Sequence, residues 1–91
     1  MVQASVGNWS PYEELTDETQ HVFADGIEGL MGVDYKPLAV AHQIVAGMNY
    51  SFFCNAQVTY PGAPSYPAIV NMYRNLDGHV AITHIQRISQ I

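Results

Sequence analysis

Positive charge is the scarcest feature of this 91-residue chain: Lys36, Arg74 and Arg87 are its only lysines and arginines, against eight carboxylates, for a net charge of −5. Three scattered cations cannot neutralise a phosphate track, so nucleic acid is not expected as a partner, and neither is an anionic membrane surface. No apolar run approaches the ~20 residues of a membrane-spanning helix. A single cysteine, Cys54, leaves no internal disulfide and suits a reducing compartment. The opening MVQASVGNWSPYEEL carries neither a basic flank nor an apolar core of signal-peptide length, which points to the cytoplasm, although a secreted form trimmed of its signal would read the same.

Patterns for catalysis and metal binding are missing as well. His79 and His84 would face opposite sides of a strand, His21 and His42 fall in different elements, and no zinc spacing appears, so neither a metal nor a cofactor is expected. No nucleophile-elbow motif occurs and the carboxylates gather on one exposed helix, so the chain does not read as an enzyme. Cys54 alternates with Phe52 and Ala56 as a small buried residue, with nothing nearby to activate it.

What is present is a core. Hydrophobic residues make up 48 % of the chain and charged ones 12 %, which is too apolar and too aromatic for disorder. At this length one domain, residues 1–91, is expected, burying only about 60 to 65 % of its unfolded surface. Seven of the eight acids (Glu13, Glu14, Asp17, Glu18, Asp25, Glu28 and Asp34) lie in the N-terminal third. Two helix-start signals sit there. Ser10-Pro11-Tyr12-Glu13 reads as a capping box with proline at the first helical position, and Thr16 precedes the acidic turn of Asp17 and Glu18. The second opens the main helix, with Phe23, Ile27, Leu30 and Met31 on one apolar face and Gly32 as its cap.

The period then changes to two. Leu38, Val40, His42 and Ile44 share one face of a first strand, and after Gly47 a second strand alternates Tyr50, Phe52, Cys54, Ala56, Val58 and Tyr60 against Ser51, Phe53, Asn55 and Gln57. PGAPSYP breaks the ladder, a third strand covers about 68–74, Asn75-Leu76-Asp77-Gly78 forms a hairpin turn, and Val80, Ile82, His84, Gln86 and Ile88 alternate in a fourth strand. One helix followed by four strands on short connections predicts an α+β fold, a single helix packed on a four-stranded antiparallel sheet.

Gly47 falls at the bend of the first hairpin, yet the tip before it is Ile44-Val45-Ala46, where asparagine, aspartate or glycine would turn more easily. An apolar tip exposed to solvent suggests a contact surface. QIVAGMNY at residues 43 to 50, preceded by YKPLAVAH and followed by SFFCNAQV, resembles the cystatin family of cysteine-protease inhibitors, and GNWSP at residues 7 to 11 is similar to the Gly-Gly-Trp-x-Pro start of its plant-type members. The resemblance implies a cystatin-like fold and reversible occlusion of a papain-like cysteine protease by a three-part wedge. Gly7 would let Ala4, Ser5 and Val6 lie along the non-primed side of the cleft; Gln43, Ile44, Val45, Ala46 and Gly47 would fill the primed side; and Leu76, in the second hairpin, would touch the outer wall. A charged side chain at Gly47 is then expected to harm binding more than folding.

Three departures from the family pattern stand out. The second hairpin has no Pro-Trp pair, Asn8 stands where the second N-terminal glycine would be, and the interval from Gly7 to Gln43 is shorter, which implies a shorter helix. The alternative is a non-inhibitory binding or oligomerisation module of the same fold. Trp9 reads equally as a staple closing the core or as a contact residue. The chain is expected to be a monomer that can form a domain-swapped dimer, because β-branched Val45 in a tight bend would store strain that opening the hairpin releases.

Overall fold

The computed structural model describes residues 7–88, so Ala4, Ser5 and Val6 lie outside the described residues. Helix α1 spans Asp17–Ile27 and strands β1 to β4 span Val33–Val45, Gly47–Val58, Ser65–Arg74 and Val80–Arg87. The strands form one antiparallel sheet in the order β1-β2-β3-β4, with α1 laid on one face, chiefly against β4. This is the α+β arrangement expected from the sequence, and it is consistent with the cystatin-like description. No helix among the described residues is long and apolar enough to cross a membrane.

Thr16 caps α1. Its hydroxyl accepts from the Thr19 amide at 3.1 Å and the Thr19 hydroxyl accepts from the Thr16 amide at 2.8 Å, satisfying two donors that the helix leaves unpaired. The helix stops at Ile27, earlier than the apolar spacing predicts. Glu28 leaves helical geometry (ψ 132°) and Gly29 turns to φ 84°, so Met31, expected on the buried face, is 87 % exposed, and Leu30 is exposed beside it.

The core forms where α1 meets the sheet. Val22 and Phe23 descend onto Val40, Tyr50, Phe52, Cys54, Val70 and Met72. Phe23 meets Phe52 edge to face with centroids 4.9 Å apart, and Tyr50 stacks on Phe52. The alternation read in β2 holds for Tyr50, Phe52, Cys54 and Ala56, all buried, but Ser51 on the other face is buried too, and Tyr60, expected to continue the inner face, lies past the strand end and is exposed.

Two bulges alter the other strands. β1 pairs Pro37 with Cys54 and Ala39 with Phe53, leaving Leu38 as the extra residue, exposed instead of sharing the inner face with Val40. β4 pairs His84 with Asn71 and Ile82 with Met72, so Thr83 is extra and Ile85, not His84 or Gln86, joins Val80 and Ile82 against the core.

Ser10-Pro11-Tyr12-Glu13 starts no helix. Residues 7–13 run as an extended ribbon antiparallel to β1, with Gly7, Ser10 and Glu13 donating their amides to the carbonyls of Ile44, His42 and Val40 at 3.0, 2.8 and 2.9 Å. The Ser10 hydroxyl accepts from the His42 amide at 2.9 Å instead of capping a helix. β1 offers this segment a row of unpaired backbone groups, and pairing with them satisfies more of its amides than one helical turn would. Trp9 stays 46 % exposed on the sheet face away from α1, in a groove shared with Tyr12, Ala41, Ser51 and Ile69, and so does not close the core.

Candidate functional site

The site is built at one end of the sheet, where the β1–β2 turn, the start of the ribbon and the β3–β4 turn meet. Gly47 decides the first turn. It adopts φ 102°, and a Cβ there would fall 2.9 Å from the Tyr73 phenol oxygen and closer still to the Arg74 carbonyl. No other residue type fits this backbone without movement of β3. The glycine thus marks both the bend and a close approach between strands, so a charged side chain here, expected from the sequence to harm binding more than folding, would strain the fold as well. The Tyr73 hydroxyl donates to the Ala46 carbonyl, tying the apex to β3.

The apex itself is apolar and open. Ile44 is 58 % exposed, Ala46 is exposed and Val45 is half-buried. No non-glycine residue among those described has a positive φ, so Val45 stores no strain of the kind expected from the sequence; Gly47 absorbs the turn.

Gly7 lies beside this hairpin, held at both backbone groups: its amide donates to the Ile44 carbonyl at 3.0 Å and its carbonyl accepts from Gln43 Nε2 at 3.0 Å. A Cβ on Gly7 would meet only ordinary contacts, the nearest 3.7 Å away. Gln43 Oε1 in turn accepts from Asn49 Nδ2 at 3.0 Å, the two residues facing each other in the β1–β2 ladder.

Leu76 tips the second hairpin and is 81 % exposed. The turn below it is rigid. Asn75 Oδ1 accepts from the amides of Asp77 and His79 at 2.9 and 3.0 Å, and Gly78 supplies φ 95°. Between the two hairpins and α1 runs an open groove of about 600 Å³, whose walls include Val45, Gly47 and Leu76 on one side and Glu18, His21 and Asp25 on the other. Arg74 spans it, 3.4 Å from Glu18, in an exposed pair that adds little stability.

All seven residues singled out from the sequence therefore lie among the described residues, Gly7 joined directly to the first hairpin and Leu76 sharing a groove with Val45 and Gly47. Asn49 and Tyr73, which hold them, were not singled out. Cys54 stands apart beneath α1: it is fully buried, and burial pushes its thiol up to about 12. That leaves it protonated and unreactive near neutral pH. Among the described residues no three His, Cys, Asp or Glu side chains are grouped to hold a metal ion. Comparison with protein-family models and with curated proteins finds no match.

Proposed function

We propose that this chain is a reversible, occluding inhibitor of papain-type cysteine proteases, a divergent cystatin, with Gly7, Gln43 to Gly47 and Leu76 as the contact edge. The observation that carries the reading is the double attachment of Gly7 to the first hairpin, which puts two sequence-distant parts of the cystatin-like pattern on one continuous, largely apolar edge. An edge assembled before binding loses less conformational entropy on docking than one that must order itself. Occlusion without turnover also fits the local chemistry: residues 43–45 and Gly47 sit in a paired ladder and the Ala46 carbonyl is engaged by Tyr73, which restrains the peptide bonds of the tip.

One observation favours the non-inhibitory module. The fold alone requires glycine at position 47, through Arg74 and Tyr73, so this part of the motif needs no protease to explain it. Titration against papain separates the two. Reversible inhibition with a sub-micromolar constant is the expected result; absence of inhibition at about 100 μM, corresponding to binding weaker than roughly −5.5 kcal/mol, would leave the module reading.

A further inference from the structure

We infer that Asn49 is a positioning residue for the N-terminal limb: through the Gln43 amide it fixes the Gly7 carbonyl, and so joins the ribbon and the first hairpin into one unit. The inference assigns a role at the site of the proposed function, and its significance for inhibition rests on that reading, but its geometry can be tested without a protease.

A glutamine side chain ends in an acceptor and a donor of nearly equal size, and its orientation follows from what faces each. Here Gly7 presents a carbonyl, which only accepts and so requires the Gln43 nitrogen, while the Asn49 amide nitrogen donates to the Gln43 oxygen and holds the side chain in that orientation. With Asn49 Nδ2 at 3.0 Å from Gln43 Oε1, the Gln43 nitrogen is left pointing at Gly7 O, also at 3.0 Å. Together with the bond from the Gly7 amide to the Ile44 carbonyl, this saturates both backbone groups of Gly7. The next bond along the ribbon is from the Ser10 amide to His42, so among the described residues it is Gln43 and Ile44 that hold Gly7 in place. Tyr73 and Gly47 hold the hairpin apex by other contacts, although Tyr73 is also the cross-strand neighbour of Asn49 in β3. Asn49 can therefore act on Gly7 through Gln43 without removing a bond at the apex, residues 45 to 47.

Asn49→Asp keeps the shape and removes the donor. A carboxylate facing Gln43 draws the amide nitrogen toward itself and turns Oε1 onto the Gly7 carbonyl, acceptor against acceptor, which releases Gly7. The experiment is amide hydrogen exchange by NMR on the full chain. Gly7 is expected to exchange about tenfold faster in Asn49→Asp, the loss of about one hydrogen bond, while Glu13 and Val40 keep their rates. In a Gln43→Met background, where the linking amide is gone, Asn49→Asp should have no further effect on Gly7. Unchanged exchange at Gly7, equal acceleration at Gly7, Glu13 and Val40, or an undiminished effect of Asn49→Asp in the Gln43→Met chain would each overturn the inference. With papain, Asn49→Asp should weaken inhibition about tenfold, chiefly through faster dissociation. If the parent chain does not inhibit papain, the proposed function fails while the exchange data still decide the role of Asn49.

Discussion

Two glycines at the same edge answer to different forces. Gly47 is held by sterics, with a left-handed φ and the Arg74 carbonyl where a Cβ would have to sit, whereas Gly7 has room for a methyl group among the described residues. Gly47→Ala should therefore destabilise the fold by roughly 2 kcal/mol or more in denaturant unfolding. Gly7→Ala should leave stability within about 0.5 kcal/mol, and any loss of papain inhibition it causes would come from the contact itself. Equal stability losses for both would show that the close approach to β3 does not govern Gly47. Cys54 carries a prediction at alkaline pH. Burial pushes its thiol up from the ordinary 9.0 to about 12, so the folded state holds its proton more tightly than the unfolded one. Stability from this group is complete below pH 9 and is lost as pH rises toward 12. The Tyr35 and Tyr50 phenols, raised mainly by burial, add to the same decline at higher pH. Cys54→Ala, although less stable near neutrality, should flatten the onset of that slope. A thiol reagent at pH 8 should label the native protein only at its rate of opening, and rapid labelling would contradict the buried, protonated thiol.

At the scale of elements, the sequence spoke most clearly where one local rule acted alone. The Thr16 cap, the inner face of β2 and the Asn75–Gly78 turn are each decided by residues within a few positions of one another. The misses lie where a partner distant in sequence took over. Ser10 and Pro11 carry a helix-start signature, but a free strand edge recruited them as a ribbon. The extra residues Leu38 and Thr83 depend on how two strands meet, which neither strand's own alternation reveals. Leu30 and Met31 continue the helical spacing past Ile27, yet Gly29 and Gly32, at φ 84° and 94°, spend that stretch in turns. The site divides in the same way. The motif at 43 to 47 was legible, and Asn49 could have been placed by reflecting Gln43 through the bend at Ala46. Tyr73 could not, because its approach to Ala46 depends on the β2–β3 register, and PGAPSYP, expected to break the ladder, instead gives Ser65, Tyr66 and Pro67 to β3, paired with Gln57, Ala56 and Asn55.

At the scale of the whole molecule, the first hairpin is also the point at which two chains could exchange halves. Opening it would join β1 and β2 into one long strand, and α1 with β1 of one molecule could then pair with β2 to β4 of another, remaking the interior contacts. Neither Val45 nor Ala46 has a positive φ, so placing Asn-Gly at 45 and 46 is not expected to suppress exchange by relieving left-handed backbone strain there. What holds the hairpin closed is the packing of Gly47 against the end of β3 and the bond from the Tyr73 hydroxyl to the Ala46 carbonyl. Tyr73→Phe removes that bond and leaves the ring in place, so it should lower the barrier to opening with only a small loss of stability, about 1 kcal/mol. Heated at high concentration just below its unfolding midpoint and then cooled, the variant is predicted to yield several times more dimer than the parent chain in size-exclusion chromatography. A dimer made in this way has no bent tip at residues 45 to 47, so it should not inhibit papain even where the monomer does. Equal dimer yields from the two chains would remove Tyr73 as the latch, and a dimer that inhibits as well as the monomer would show that the chains exchange elsewhere or that the contact edge lies outside the first hairpin.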